Sequence, residues 1–515
     1  MRVLMLGWEF PPFITGGLGT ACYGLTKALD RRGIDVTFVL PKSVDAQTAS
    51  HVTLVSPPRL PPAGGAIATM AARGSENEPP PLRALVRRVV VGDTADEGEP
   101  SLPLHVLEPG VFERISILRD PIAAQAQVGA ASAYASAPPS ELARFAEHHF
   151  TPFGAATSGL FAERLTPEEA RRALAVEMII REAIPEAAGS AAWAAPGTGF
   201  APRADDYSGD LISEADRYAR FVVAACGRLR FDVVHAHDWL TYPAGIAIAR
   251  VTGRPLVAHV HSTEFDRSGL HVNQRIYDIE RRGMHAAMRV ISVSVLTKNL
   301  CTNRYGVSAD KIDVVYNGVD LSPQQMGMED IASRDKIVLY FGRITMQKGP
   351  EYFVHAARRV LEVEPDVKFV VAGSGDQAQH MIELAASLGI GGKMLFTGFL
   401  RGKDIARVFA MADLYVMPSV SEPFGIAPLE AMSHDVPVLI SKTSGVSEVL
   451  THALKCDFWD VDEMANKIVA VLRHPPLSRT LREHGRFEVR RLTWDGAAEC
   501  AENVYHAAVA AVKRR

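Results

Sequence analysis

The sequence predicts an α/β protein built from two doubly wound domains, in which parallel strands alternate with helices. Residues 2–10 form an apolar run without helical periodicity, and a glycine-rich loop, an amphipathic segment and a second apolar run follow it. Residues 338–341 begin the same order of strand, loop and helix in the second half of the chain. Short apolar runs are typical of buried strands, and their alternation with helices is typical of parallel sheets.

Composition narrows the class of protein further. The 515 residues carry 55 Lys and Arg against 59 Asp and Glu, a net charge of -4, and 47% are hydrophobic. This length predicts two or three domains, and the balanced charge gives no reason to expect a nucleic-acid partner. No apolar run reaches the ~20 residues of a membrane span, and the start of the chain predicts a strand rather than a signal peptide. The five scattered cysteines lack a C-x-x-C pair, so we expect reduced thiols in a cytoplasmic protein.

Changes in composition along the chain predict its domain boundaries. A polar segment at 321–336 is interpreted as a linker, which gives a first domain at 1–325 and a second at 326–490. Within the first domain, a block at about 56–215 begins and ends in stretches rich in Pro, Ala and Gly, with two helical segments between them. We interpret this block as an insert, and its sequence indicates no function.

The loop after the first strand contains Gly16 and Gly17. Glycine lets a ligand or another backbone approach closely, and the helix beyond the loop offers free N–H groups. A simple tight turn would have the same sequence, so both interpretations stay open at this point.

Polar side chains also follow two later strands of the first domain. They are His235, His237 and Asp238 after one strand, and His259, His261 and Glu264 after the next. These positions lie at the carboxyl ends of the strands, where open α/β sheets bind ligands. So many histidines would suit a zinc site, but the pattern has no fixed third ligand and no metal-binding helix motif, so we expect no metal ion.

The second domain begins with a strand that ends at Arg343, and Lys348 lies five residues further on, just before a predicted helix. A rigid guanidinium and a flexible ammonium at a strand-to-helix junction suit the oxygens of a diphosphate. Two surface cations on a loop would give the same pattern.

Two carboxylates, Glu422 and Glu430, lie eight residues apart further along. A helix predicted to begin near Gly425 leaves Glu422 in the preceding loop and Glu430 about one and a half turns inside. The N-terminus of a helix attracts an anion. Glu422, in the loop, can accept hydrogen bonds from sugar hydroxyls, and Glu430 is placed to reach a ribose diol. The only D-x-D, at Asp460 and Asp462, opens a later helix and is interpreted as a cap.

Together, these motifs resemble the retaining glycosyltransferases of the GT-B fold. G-R-x4-K-G occupies residues 342–349, E-P-F-G-x4-E occupies 422–430, and H-A-H-D-W, as in glycogen and starch synthases, occupies 235–239. The resemblance covers both ends and the whole second half, and is weak over about 56–215. It implies two Rossmann-like domains that face a cleft, with a last helix at 491–515 that crosses back to the first domain.

The resemblance also implies the substrates and several roles. The donor is a nucleoside diphosphate sugar linked to ADP, UDP or GDP, the acceptor is a glucan or another carbohydrate, and no cofactor is needed. Asp238 lines the acceptor side and His261 contacts the donor sugar, while the other histidines are structural. Thr443, Ser444 and Gly445 occupy the place of a phosphate loop, whose N–H groups would cap the diphosphate. Ile14 replaces the loop lysine of glycogen synthases, which removes one diphosphate contact.

The expected reaction moves a hexosyl unit, glucosyl in the first instance, to a carbohydrate hydroxyl. Arg343, Lys348 and the helix near Gly425 would stabilise the departing diphosphate in place of a divalent cation. Glu422 would hold sugar hydroxyls and Glu430 the ribose. Retention by attack on the same face and retention through a covalent intermediate both stay open.

Three functions compete on the sequence alone. An α-glucan synthase is supported by the G-G-L-G loop and by residues 235–239. A retaining transferase with a lipid-linked, capsular or small-molecule acceptor is supported by S-T-E-F-D-R-S-G at 262–269, by Ile14 and by the block at 56–215. A non-catalytic protein that only binds a nucleotide sugar is the third. The base and sugar of the donor and the oligomeric state are not predicted.

Overall fold

The protein folds as two parallel sheets with helices packed on their faces, which confirms the predicted pair of doubly wound domains. The computed structural model describes residues 1–11, 16–42, 51–57, 87–90 (backbone only), 211–320 and 335–513. Most of the predicted insert, with its two helical segments, and nearly all of the predicted linker lie outside the described residues.

Among the residues that the structure describes, the first sheet has eight strands in the order β4-β3-β2-β1-β5-β6-β7-β8. Their bounds are β1 (Arg2–Leu6), β2 (Asp35–Val39), β3 (Thr53–Ser56), β4 (Arg87–Val90), β5 (Val233–His237), β6 (Leu256–Val260), β7 (Arg289–Ser292) and β8 (Ile312–Val314). All neighbours are parallel except β3 and β4. Successive side chains of β1 pack into two different hydrophobic cores, with Val3 and Met5 on one face of the sheet and Leu4 and Leu6 on the other. Both faces are therefore covered, which is why the strand is a continuous apolar run.

Six helices lie among the described residues of this half of the chain. They are α1 (Gly17–Arg31), α2 (Leu211–Cys226), α3 (Tyr242–Thr252), α4 (Glu264–Ser268), α5 (Gln274–Ala286) and α6 (Val295–Tyr305), with a short 3-10 turn at Ala309–Lys311. The α6 helix has a serine at its start, Ser294, whose hydroxyl accepts from the amide of Thr297, and a left-handed glycine, Gly306, at its end. These capping residues fix where the helix begins and ends.

The second sheet has six parallel strands in the order β11-β10-β9-β12-β13-β14. Its strands are β9 (Lys336–Phe341), β10 (Val367–Ala372), β11 (Met394–Gly398), β12 (Leu414–Met417), β13 (Val438–Ser441) and β14 (Leu454–Cys456). The helices around it are α7 (Pro350–Leu361), α8 (Ala378–Ser387), α9 (Lys403–Ala410), α10 (Ala427–Ser433), α11 (Val461–Arg473) and α12 (Pro475–Val489), with 3-10 turns at Met346–Lys348, Gly391–Lys393 and Gly445–Glu448. Asp460 caps α11 by accepting from the amide of Glu463, as its position predicted.

The order of strands reverses beside β1 in the first sheet and beside β9 in the second. Ligands of open α/β sheets bind at the carboxyl ends of the strands at such reversals. The loops after β1, β5, β9 and β12 are therefore the places where the fold offers a site.

The last helix, α13 (Trp494–Lys513), packs on the first sheet rather than on the second. Trp494 and Tyr505 are buried in the core that β1 shares with α1. Gly24 of α1 lies so close that an added Cβ would be 2.2 Å from the ring of Trp494. An ion pair of 2.7 Å between Arg31 and Asp495 adds to the contact at the surface.

Two further features bear on the sequence-based expectations. None of the helices among the described residues is long and apolar enough to cross a membrane. All five cysteines lie in the described part of the chain as free thiols, and four of them are buried.

Candidate active site

The carboxyl edges of the two sheets face each other, and several side chains meet between them. The hydroxyl of Ser421, after β12, donates to Asp266 Oδ1, after β6, over 2.6 Å. A Cβ added to Gly16, after β1, would lie 3.9 Å from Nε of Arg343, after β9. Loops of both domains therefore contribute to one region.

Lys348 and Glu422, which the sequence places in separate motifs, are in direct contact. The ammonium of Lys348 donates to Glu422 Oε2, and the Ser419 hydroxyl lies 3.2 Å from the same oxygen. The side chain of Glu422 is only 8% exposed and that of Lys348 is 21% exposed. A carboxylate and an ammonium so shielded from water interact more strongly than a surface pair.

Backbone contacts hold these two loops together. The carbonyl of Gln347 accepts from the amide of Val420 over 2.9 Å, and the Gln347 side-chain amide donates to the carbonyl of Ser421 over 3.0 Å. Gly349 has φ of +61°, and an added Cβ would lie 2.2 Å from the carbonyl oxygen of Pro418. The glycine of the G-R-x4-K-G motif thus allows the lysine loop to lie against the glutamate loop.

Arg343 is exposed and lies towards the first domain. The backbone carbonyl of Arg343 accepts a hydrogen bond from the hydroxyl of Tyr340 over 2.8 Å, and this bond fixes the backbone just after β9. Across from it, Gly16 precedes α1 and Gly17 is the first helical residue, with no atom near a Cβ added there. The guanidinium and the start of α1 therefore border the same space.

The helix that carries Glu430 differs from the prediction. It begins at Ala427 rather than near Gly425, so Glu430 lies in its first turn rather than one and a half turns inside. Gly425 has φ of +100°, which an α-helix cannot accommodate, and a Cβ there would lie 3.2 Å from Cγ of Glu422. Gly425 therefore shapes the turn under Glu422. Burial raises the pKa of the half-buried Glu430 to about 7.

The segment from Thr443 to Gly445 is used differently from the predicted phosphate loop. The Thr443 amide donates to the hydroxyl of Ser441, and the Gly445 amide donates to the carbonyl of Glu422 over 2.8 Å. The amide of Glu422 in turn donates to the carbonyl of Thr443, and Ser444 and Glu422 form an isolated bridge. Two of the three N–H groups are thus occupied within the protein, so this segment supports the backbone of Glu422 instead of presenting both groups to a ligand.

In the first domain, Asp238 organises the turn that carries His261. Its Oδ1 accepts from the amides of His261 and Ser262 over 2.7 and 3.3 Å, and its own amide donates to the carbonyl of His259. Asp238 has a positive φ of 58°, a strained conformation for a residue with a side chain. Burial raises the pKa of its carboxyl group to about 7. The residue predicted to line the acceptor side therefore also sets the position of His261.

Four histidines form a stacked cluster behind this turn. His235 Nε2 lies 3.0 Å from His259 Nδ1, and His237 Nδ1 lies 2.8 Å from His261 Nε2. The Tyr505 hydroxyl, from α13, lies 2.6 Å from His235 Nδ1. Burial lowers the pKa of all four imidazoles, to about 3 for His235 and His261, so the cluster is uncharged at neutral pH.

Three of these histidines lie close enough together to be considered as metal ligands, although the sequence indicated no fixed third ligand. Nitrogens of His235, His237 and His259 all lie within 4.8 Å of one another. Tetrahedral zinc holds its nitrogen ligands at about 2.0–2.1 Å, which brings them to within about 3.5 Å of each other. Both nitrogens of His235 have protein partners, His259 Nδ1 among them at 3.0 Å, whereas the buried Nε2 atoms of His237 and His259 have none. Hydrogen bonds within the cluster occupy His235, and a site without metal stays a prediction.

A buried acidic network lies next to His261, and of its members the sequence indicated only Glu264. Arg267 contacts Glu264 over 3.2 Å and Glu280 over 2.5 Å. The hydroxyl of Tyr305 also donates to Glu280. Thr263 and Asp266 form a capping box at the start of α4. The T-x-x-D spacing is a sequence signal that could have located Asp266, whereas nothing local indicates Glu280.

The chain matches three family models along its length. The Starch synthase catalytic domain model matches residues 2–62, Glycosyltransferase Family 4 matches 178–323, and Glycosyl transferases group 1 matches 323–487. An uncharacterized glycosyltransferase of Methanocaldococcus jannaschii is 32% identical over an alignment of 302 residues, which covers 54% of this chain and 76% of that protein.

Two further proteins agree with this assignment. A glycogen synthase of Mycobacterium tuberculosis is 28% identical over an alignment of 290 residues, which covers 54% of this chain and 69% of that protein. Sucrose-phosphate synthase from Thermosynechococcus elongatus shares the fold, with a TM-score of 0.61 at 16% identity over 99% of each chain. The chain therefore belongs to the glycosyltransferases of the GT-B fold, and it resembles the glycogen synthases among them.

Proposed function

We propose that this glycosyltransferase moves a hexosyl unit, glucosyl in the first instance, from a nucleoside diphosphate sugar to a carbohydrate acceptor with retention of configuration. The observation that carries the proposal is the contact of Lys348 with Glu422 at the carboxyl edge of the second sheet, beside Arg343. A cation for a diphosphate and a carboxylate for sugar hydroxyls are the two groups that a nucleotide sugar needs.

In the proposed mechanism, Lys348 and Glu422 exchange partners when the donor binds. Without a ligand, each neutralises the other. A sugar hydroxyl would donate to Glu422, and the diphosphate would accept from Lys348 and Arg343. As the bond to the sugar breaks, the negative charge on the leaving diphosphate grows, and fixed cations stabilise it without any reorganisation of solvent.

The first domain supplies neutral groups to the same reaction. Burial lowers the pKa of His261 to about 3, so this side chain acts on the donor sugar as an uncharged hydrogen-bonding group. A neutral imidazole adds no positive charge beside a sugar that itself becomes cationic in the transition state. Asp238 fixes the turn of His261 through two backbone amides. Attack on the same face as the departing diphosphate and a covalent intermediate are both compatible with these roles.

The two cations take the place that a magnesium ion has in other transferases, so the proposed reaction is independent of metal. Turnover should persist in EDTA at a concentration above that of all divalent ions. Loss of turnover in EDTA, restored by magnesium, would exclude this part of the proposal.

For the acceptor, we favour an α-glucan chain. The match of residues 2–62 to the Starch synthase catalytic domain and the intact H-A-H-D-W at 235–239 support it. A small-molecule, lipid-linked or capsular acceptor is the second candidate, favoured by Ile14, which replaces the loop lysine of glycogen synthases, and by the S-T-E-F-D-R-S-G segment.

The experiment proceeds in two steps. A thermal-shift panel with ADP, UDP and GDP identifies the base, because a ligand that binds the folded state raises the melting temperature. The corresponding nucleotide glucose is then incubated with glycogen, with monosaccharides and with sugar phosphates, and the products are analysed for anomeric configuration. Elongation of glycogen supports the first candidate, and a product formed only with a small acceptor supports the second. A protein that binds a nucleotide but neither transfers nor hydrolyses any donor would refute the enzymatic proposal.

A further inference from the structure

Asp266 and Ser421 form a hydrogen bond that joins the two sides of the candidate site. We propose that this bond positions Glu422 against the His261 turn when the domains close, so that both residues are positioning residues for sugar transfer. The inference rests on the proposed function, since the reaction assigned to the site gives the positioning its purpose. Ser421 immediately precedes the E-P-F-G-x4-E motif, and Asp266 lies within the S-T-E-F-D-R-S-G segment, to which no role has been assigned.

On the first domain, the carboxylate of Asp266 is fixed on both oxygens. It is 5% exposed, and its Oδ2 accepts from the amide and the hydroxyl of Thr263, each over 2.8 Å. Thr263 lies two residues after His261, and Asp238 holds the amides at the start of this turn. Hydrogen bonds from Asp238 fix the start of the turn, and those between Thr263 and Asp266 fix its end. A group bound to Asp266 Oδ1 therefore has a fixed position relative to His261.

On the second domain, Ser421 is the residue immediately before Glu422, and its backbone is also fixed. Its carbonyl accepts from the Gln347 side chain over 3.0 Å, and the amide of Glu422 donates to the carbonyl of Thr443 over 3.1 Å. Gln347 is buried and precedes Lys348. A shift of Ser421 would therefore move both members of the Lys348–Glu422 pair.

The bond itself has the geometry of a strong interaction. The Ser421 hydroxyl lies 2.6 Å from Asp266 Oδ1. Hydroxyl donors to an ionised carboxylate typically lie at about 2.5–2.7 Å and bind about twice as strongly as neutral pairs. A single such bond at the edge of a reacting centre can decide whether the closed geometry is held, because catalysis falls steeply with small misplacements.

A second contact between the domains provides a comparison. Glu448 accepts from the amides of Val295 and Leu296 over 2.9 and 2.6 Å and from the hydroxyl of Tyr316 over 3.2 Å. This contact joins the second domain to the start of α6, and it touches neither the His261 turn nor the residues next to Glu422. Gly445 of the same 3-10 turn supports the Glu422 carbonyl, and Thr297 of α6 donates to the carbonyl of Pro423, but Glu448 itself has no bond to either. Its substitution therefore weakens a contact between the domains and leaves the Asp266–Ser421 bond in place.

The test compares Ser421→Ala with Ser421→Thr and Glu448→Gln. Ser421→Ala leaves the cap of α4 intact, and we expect about a tenfold lower kcat for sugar transfer with the affinity for the free nucleoside diphosphate unchanged. Ser421→Thr keeps the hydroxyl and should restore most of the rate, whereas Glu448→Gln should leave kcat within about twofold. A normal kcat in Ser421→Ala, or an equal loss in Glu448→Gln, would overturn the inference.

Hydrogen–deuterium exchange gives a readout that does not depend on catalysis. With the nucleoside diphosphate bound, Ser421→Ala should exchange faster than the native protein at 261–268, and Glu448→Gln should do so only around 295–297. If the native protein transfers no sugar, the proposed function fails and the pair is judged by exchange alone. Unchanged exchange at 261–268 in Ser421→Ala would then overturn it.

Discussion

Replacing Lys348 by methionine removes the ammonium and keeps most of the apolar stem, so it isolates the charge. We expect kcat to fall because the leaving diphosphate loses a fixed cation. By comparison with other fixed donors to a developing anion, the barrier should rise by about 2–4 kcal/mol, which is about a 30- to 1,000-fold decrease in rate.

The structure predicts a second effect of the same substitution, on stability. The side chain of Glu422 is 8% exposed, and without Lys348 its remaining side-chain partner is the hydroxyl of Ser419 at 3.2 Å. Leaving a buried carboxylate without its cation costs about 1–3 kcal/mol, with the lower part of the range favoured because Lys348 is 21% exposed. The double variant Lys348→Met/Glu422→Gln should recover most of this stability and none of the activity.

The assay measures release of the nucleoside diphosphate at saturating donor and acceptor, together with denaturant unfolding of each variant. Lys336→Met is the matched control, because Lys336 also pairs with a carboxylate, Asp413 at 3.2 Å, but is 57% exposed and lies at the amino end of β9. It should keep normal turnover and lose less than about 0.5 kcal/mol of stability. A kcat within threefold of native in Lys348→Met would refute the proposed role of the cation.

Three further predictions follow from burial. The affinity for the nucleoside diphosphate should be about tenfold lower at pH 6 than at pH 8, because a ribose diol donates best to ionised Glu430, whose pKa burial raises to about 7; isothermal titration across this range measures it. Tyr505→Phe should lower the free energy of unfolding by about 1–2 kcal/mol, because it removes the partner of His235 Nδ1, and should leave turnover unchanged. Gly24→Ala should destabilise the packing of α13 by about 1–3 kcal/mol in denaturant melts, since the added Cβ overlaps the ring of Trp494.

Each of these predictions has a control or a contradicting outcome. In Glu430→Gln, the affinity for the nucleoside diphosphate should change with pH only as far as the phosphates of the ligand titrate. If the affinity of this variant changed between pH 6 and pH 8 as much as that of the native protein, the ribose assignment would be contradicted. Gly496→Ala is the control for the helix packing, because its Cβ would have only a 3.7 Å contact with the hydroxyl of Thr493. A Tyr505→Phe protein as stable as the native one would mean that His235 finds another partner.

The sequence by itself determined the local elements and the chemistry of the cleft edge. Continuous apolar runs such as 338–341 are typical of buried strands, and the helices between them favour a parallel, doubly covered sheet. The carboxyl ends of such strands are the ligand edge in any sheet of this kind, so Arg343 and Lys348 could be placed there before any tertiary contact was known. These properties depend on residues close together in the chain.

The tertiary structure alone decided which of these groups touch. Lys348 meets Glu422 from 74 positions away, and Asp266 meets Ser421 from 155 positions away. Periodicity encodes which face of an element is buried, but it carries no information on which loops of two separate sheets lie against each other. Burial, which makes the histidine cluster neutral and raises the pKa of Glu430, is likewise a property of the packed molecule, because it depends on atoms contributed from every part of the chain.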